Sequence, residues 1–127
     1  MEKEETRIKE IKESIVQKKK ELNNLTRLVA EKKSEIISLY NELADQYSSM
    51  EKYSGLIGKK VRSSWCEYDK TKSIEGYFDG FIYVIDGFYK AIFPKLFKIN
   101  KDGSKSKNNC AYYNIPIADN IMSIEQI

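Results

Sequence analysis

Residues 8–50 read IKEIKESIVQKKKELNNLTRLVAEKKSEIISLYNELADQYSSM, a stretch with neither glycine nor proline. Setting Ile8 at position a of a heptad puts Ile15, Leu22, Val29, Ile36, Leu43 and Met50 at the following a positions. The d positions are then Ile11, Lys18, Leu25, Lys32, Leu39, Gln46 and Tyr53. Every a residue is apolar over seven repeats, more than the three or four heptads that identify a coiled coil. Such a period predicts a long helix whose narrow apolar stripe must be covered by another helix. Ile8, Ile11, Ile15, Leu22, Leu25, Val29, Ile36, Leu39, Leu43 and Met50 are the expected oligomerisation residues.

β-Branched residues at most a positions, with Leu25 and Leu39 at d, favour a parallel two-stranded coil, because those shapes fill a dimer's holes best. Lys18 and Lys32 weaken that seam: each stem can reach out of a d site, at a cost in stability, and can fix register or make room for another partner. A helix over residues 3–53 would run about 75 Å. A second copy of the chain is the simplest cover for its stripe. The alternative is a helical hairpin breaking at Asn23 and Asn24, two adjacent weak helix formers. Leu28, Ile37, Tyr40 and Tyr47 fall outside the seam and are free to serve a higher oligomer or to dock a second domain. The basic run from Lys18 to Lys20, with Arg27, Lys32 and Lys33, is interleaved with glutamates and reads as a solvated face.

Beyond the helix the composition changes. Residues 1–52 carry 11 basic and 11 acidic side chains, so the net +3 of the chain comes from the remainder. Of 15 aromatic residues only Tyr40 and Tyr47 precede Tyr53, and all six glycines and both prolines follow it. The expected division is a coiled-coil oligomerisation helix over 1–53 and a small β domain over 54–127.

Three Asp-Gly pairs, Asp79-Gly80, Asp86-Gly87 and Asp102-Gly103, mark β turns, since each offers the positive φ a tight hairpin requires. Strands are expected over 59–66, 73–78, 81–85, 88–93 and 110–117, with a short one near 121–124. Residues 100–109, NKDGSKSKNN, read as a polar excursion. Five or six short strands in about 70 residues bury their apolar face most readily by curling into a barrel. The fold class is therefore α+β.

The residues 58–61 (GKKV) opening the first strand, the meander over 74–92 and the FPKLF at 93–97, expected at the turn after the fourth strand, resemble the SH3-like small barrels, including their Tudor and KOW variants. A coil joined to such a barrel also resembles small phage and mobile-element proteins, among them anti-CRISPRs and Thoeris anti-defence sponges. Nineteen lysines against three arginines, with 16 isoleucines, fit the AT-rich coding of such elements. The resemblance implies an inhibitor acting in the cytoplasm of a bacterial host, binding a host defence protein or sequestering its nucleotide signal. It assigns no residue.

Most of the twelve or so rings after residue 64 are expected in the core of so small a domain. Rings with a polar edge tolerate partial exposure, and two basic clusters, Lys59, Lys60 and Arg62, then Lys90, Lys95, Lys98, Lys101, Lys105 and Lys107, with aromatics between them, suit single-stranded nucleic acid or a phosphorylated nucleotide. The candidate ligand-binding residues are Lys59, Lys60, Arg62, Trp65, Tyr77, Tyr89, Lys90 and Tyr112. Arg62, the lone arginine of this half, is the side chain suited to gripping a planar anion bidentately.

Other chemistries recede. With no histidine there is no Ser-His or Cys-His pair and no mixed Cys/His zinc site. Cys66 and Cys110 supply too few ligands for a metal and are expected as buried free thiols. Glu67, Asp69, Glu75 and Asp79 have no spacing that sets them apart from surface carboxylates, so neither an enzyme nor a cofactor is expected. The charged opening MEKEETRIKE is unlike a signal peptide, and no apolar run approaches the length of a membrane span. The expected function is a non-catalytic homo-oligomeric binding protein. The alternatives are a nucleic-acid-binding regulator and a structural adaptor acting through its coil.

Overall fold

The computed structural model describes residues 2–86 and 89–127, apart from the side chains of Asp86, Tyr89 and Tyr113. Gly87, Phe88 and the ring of Tyr89, each part of the expectations above, lie outside that description. Contacts divide the chain into two compact units, Met1–Ser38 and Leu39–Ile127.

Helix α1 (Glu2–Ser49) is unbroken through Asn23 and Asn24, which corrects the hairpin alternative. In the first unit, glutamates at positions 2, 4 and 5 face the positive end of the helix dipole. Ion pairs one turn apart line its surface: Arg7–Glu10 at 3.4 Å, Lys18–Glu21 at 3.6 Å, Arg27–Glu31 at 3.9 Å and Lys32–Glu35 at 3.1 Å. Each such exposed pair contributes only about 0.3–0.5 kcal/mol. No side chain of this unit is buried among the described residues, and the stripe is open, with Leu22 62% and Leu25 59% exposed.

In the second unit the end of α1 is followed by the short α2 (Glu51–Ser54) and a five-stranded antiparallel sheet in the order β4-β3-β2-β1-β5. The strands are β1 (Lys60–Glu67), β2 (Lys70–Asp86), β3 (Tyr89–Ile99), β4 (Lys105–Asn109) and β5 (Ser123–Gln126). Tyr68 and Asp69, at φ 51° and 61°, make the two-residue turn between β1 and β2; left-handed pairs of this kind match the twist of a hairpin.

Asp79-Gly80 is not a turn. It is a bulge inside β2, a single 17-residue strand where two shorter ones were expected. Gly80 takes φ +80°, and the bulge brings Phe78 and Phe81 to the same face despite their odd spacing. Their rings meet edge to face at 5.5 Å, and Tyr53 from α2 closes on Phe81 at 5.0 Å. Val61, Leu96, Cys110, Ile115 and Ile124 complete this core. Ser63 is wholly buried within β1, and its hydroxyl has no partner among the described residues.

Asp102-Gly103 does form a turn, with Gly103 at φ +88° and the Gly103 N–H donating to the Asn100 carbonyl at 2.9 Å. The expected excursion over 100–109 is therefore a hairpin loop followed by β4. Residues 110–117, expected as a strand, instead contain the 3-10 turn Tyr112–Asn114, and a second such turn, Ala118–Asn120, precedes β5. Both thiols are free, but Cys66 is exposed, against expectation, and only Cys110 is buried. Among the described residues no helix is long and apolar enough to cross a membrane.

The end of α1 docks on this sheet. Tyr40 stacks on Tyr83 at 4.5 Å with the rings 3° from parallel, and Tyr47 packs on Phe81 at 5.5 Å. Ala44 is buried between them in sequence, and the Tyr47 hydroxyl donates to the Asp119 carboxylate. The docking face is thus the row of Tyr40, Ala44, Tyr47 and Ser48. Leu39, Leu43 and Met50 of the heptad stripe remain 63%, 45% and 40% exposed.

Candidate binding face

Strand alternation sorts the candidate residues first. Successive side chains of β1 point to opposite sides, so Lys60 and Arg62 lie opposite Val61 and Ser63, which enter the core. Trp65 falls on the side of Val61 and Ser63. The turn at Tyr68 and Asp69 sets the register, which places Lys60 opposite Tyr77 and Arg62 opposite Glu75. Tyr77 in turn faces Phe97, and Phe97 faces Asn109. One row, Lys60–Tyr77–Phe97–Asn109, therefore crosses four strands on the side away from Val61, Phe78 and Leu96.

Cations cover this row. The Lys60 ammonium lies 5.7 Å from the centre of the Tyr77 ring. Lys105 and Lys95 approach the Phe97 ring at 4.1 and 5.2 Å. Contacts of this kind contribute about 0.5–1 kcal/mol each at exposed sites, enough to bias a flexible lysine without immobilising it. The Tyr77 hydroxyl donates to the Gly103 carbonyl at 2.5 Å, holding the turn over 100–104 against the edge of the row. Of the acids on or beside this side of the sheet, Glu75 pairs with Arg62, and Asp79 and Asp102 are engaged as well. Asp79 pairs with Lys95 at 3.5 Å. Asp102 accepts from the Ser104 hydroxyl at 2.6 Å and from its N–H at 3.0 Å, which holds its carboxyl below the usual carboxylate range.

Arg62 shares the face but not its availability: its guanidinium closes on Glu75 at 2.6 Å. The remaining candidates are dispersed. Lys59 is exposed in the turn before β1, where its carbonyl accepts the Phe78 N–H at 3.0 Å. Trp65 lines a groove of about 930 Å3 with Ile74, Asn114, Pro116 and Met122; its indole N–H points to Glu67 at 3.4 Å, and Glu67 pairs with Lys72 at 3.4 Å. Lys90 borders a smaller cavity of about 220 Å3 beside Tyr40 and Tyr47. Tyr112 packs on Phe93 at 5.4 Å.

The chain matches no protein-family model, no curated protein and no solved structure. What the face can bind follows from its own side chains. Of the eight candidates, the sheet brings Lys60, Arg62 and Tyr77 together, and it adds Phe97 with Lys95 and Lys105, two lysines of the second basic cluster read from the sequence but not among those eight. The Lys95-x-Phe97 spacing put two of these on one side of β3, but nothing in the sequence paired β3 with Tyr77.

Proposed function

We propose that the protein is a non-catalytic homo-oligomer in which paired helices multiply a small β module that carries a binding face. The observation that supports this reading is the uncovered heptad stripe. From Ile8 (51% exposed) to Met50 (40%) its apolar side chains face water, while the sheet of the same chain takes a different helix face, that of Tyr40, Ala44, Tyr47 and Ser48. Water-exposed apolar surface costs about 25 cal/mol per Å2, so a stripe of this length is unfavourable unless covered. Ten side chains about half exposed offer an area on the order of the ~800 Å2 per partner that stable interfaces bury. A second copy matches the stripe in period and length over the six heptads from Ile8 to Ser49, with Met50 just past the end of α1, which a shorter partner helix would not.

The finer features belong to the same proposal. The strand order and the bulge that bends β2 support closure of the sheet into an SH3-like barrel. Multiplying a weak site by pairing raises its effective affinity without new contacts. The narrower reading as a phage-type anti-defence inhibitor rests on the resemblance of the sequence, and its test is relief of host defence on expression of the chain.

Sedimentation of the intact chain over a wide concentration range tests the oligomer. A dimer or higher species that dissociates on replacing Leu22 and Leu25 with aspartate is expected. A monomer mass at every concentration would overturn the reading.

A further inference from the structure

The row that crosses β1 to β4 combines two properties rarely left on an outer sheet face without use: aromatic rings not committed to the core, and ammonium groups in excess of acids. Tyr77 and Phe97 are only half-buried and occupy directly opposed positions on neighbouring strands. Opposed Cβ atoms stand about 5 Å apart, so the two side chains leave the sheet side by side as an aromatic step on one face. Lys60, Lys95 and Lys105 rim that step, and among the acids described beside it only Asp79 neutralises one of them.

We infer that this face binds single-stranded nucleic acid. Its chemistry separates that partner from its neighbours. A purely anionic polymer would use the lysines and leave the rings idle. A duplex hides the faces of its bases, so it too would engage only the charges. A free base presents both a π face for Tyr77 or Phe97 and, one linkage away, a phosphate for a lysine. The lysines now resting over the rings are long and flexible enough to yield the ring to a base and keep their ammonium at the adjoining phosphate. The face is an open row spread over several strands, while the cavities of about 930 and 220 Å3 lie elsewhere, so an extended strand fits it better than an enclosed metabolite. Arg62 is not part of this grip, because Glu75 holds it. The inference rests on the reading of the sheet as the ligand-bearing module and is independent of helix pairing.

The test is fluorescence anisotropy of the intact chain with a labelled single-stranded oligonucleotide, with duplex and heparin as competitors. Engagement of two phosphates, by Lys60 and Lys105, predicts that affinity falls roughly sevenfold between about 50 and 200 mM salt. Lys60→Glu with Lys105→Glu should weaken binding at least tenfold. Tyr77→Leu should cost about tenfold towards the oligonucleotide, as loss of one stacked base does, and leave heparin binding unchanged. Should Tyr77→Leu fail to fold by circular dichroism, Phe97→Leu is the second aromatic variant and the surface lysine pair still decides the charge arm. Equal affinity for duplex, insensitivity to salt, or aromatic and lysine variants that bind as the parent does would each overturn the inference. Sedimentation of the same samples separates the two readings: a dimer that ignores oligonucleotide removes the ligand alone, and a monomer that binds it removes the oligomer alone.

Discussion

The Ser48 hydroxyl accepts the Phe81 N–H at 2.8 Å while donating to the Ala44 carbonyl at 3.0 Å, so a single oxygen joins the end of α1 to the bulge of β2. The arrangement needs Gly80, because a Cβ there would come within 2.8 Å of that same oxygen and the φ of +80° is one that other residues reach only with strain. Ser48→Ala is expected to destabilise the chain by about 1–2 kcal/mol by leaving the Phe81 N–H unmatched. Gly80→Ala should cost about 1–3 kcal/mol from backbone strain, plus the collision. Because removing the hydroxyl also removes the nearest obstacle, the double variant should lose less than the sum. Urea denaturation of the four proteins in this cycle measures it.

Lys18 and Lys32 interrupt the d row of the stripe, and neither side chain is buried. If the stripe pairs with a second copy, Lys18→Leu and Lys32→Leu together should stabilise the assembly by about 2 kcal/mol per buried leucine. The helical signal should then melt at higher temperature and depend more steeply on protein concentration. An unchanged melt would mean these positions do not face a partner helix.

Tyr47 donates to the Asp119 carboxylate, and that acceptor, followed by partial burial, raises the phenol above its ordinary value of 10.0. A group whose pKa is higher in the folded chain stabilises it while protonated. The contribution is therefore complete below about pH 10 and lost as pH climbs through the folded value. The stability difference between the parent and Tyr47→Phe should stay constant from about pH 7 to 9 and shrink above 10, in denaturation series at each pH.

Ser63 holds a hydroxyl in the core with no partner among the described residues. Removing an unmatched buried polar atom removes its desolvation cost and leaves only a small void. Ser63→Ala is expected to be neutral or stabilising by up to about 1 kcal/mol. A loss of more than about 1 kcal/mol in thermal denaturation would reveal a partner for this oxygen.

The helix was legible from its sequence because a period sustained over seven heptads has few other physical uses, and its Tyr40 and Tyr47, lying outside the seam, do dock on the sheet. The strands were legible where apolar alternation met a turn, as in β1. They were obscured where the same chemistry serves two geometries. Asp79-Gly80 offers the positive φ of a hairpin, yet that conformation equally makes a bulge. β4 (KSKNN) has no apolar alternation because it is an exposed edge, whereas residues 110–117 alternate but place Cys110 and Ile115 in the core from a loop. At the candidate face, Lys60 and Trp65 group together as ligand candidates in the sequence, although the alternation of β1 sets them on opposite sides. The meeting of Lys60, Tyr77 and Phe97 depended on two registers, one of them set by a turn at Tyr68, a residue whose side chain gives no hint of φ 51°.

The extra residue in β2 also decides which side chains of the strand beyond it face inward. Flattening the bulge with both Asp79 and Gly80 kept would invert the pleat downstream, sending Phe81 and Tyr83 outward and drawing Ile82 and Val84 in, whereas removing one of the two would leave Phe78 and Phe81 two apart, on one face and still opposite Leu96 and Pro94, at the loss of the kink alone. The loop over 100–104 carries no such parity. Lengthening should be tolerated at that hairpin tip, which has no pleat to keep in phase.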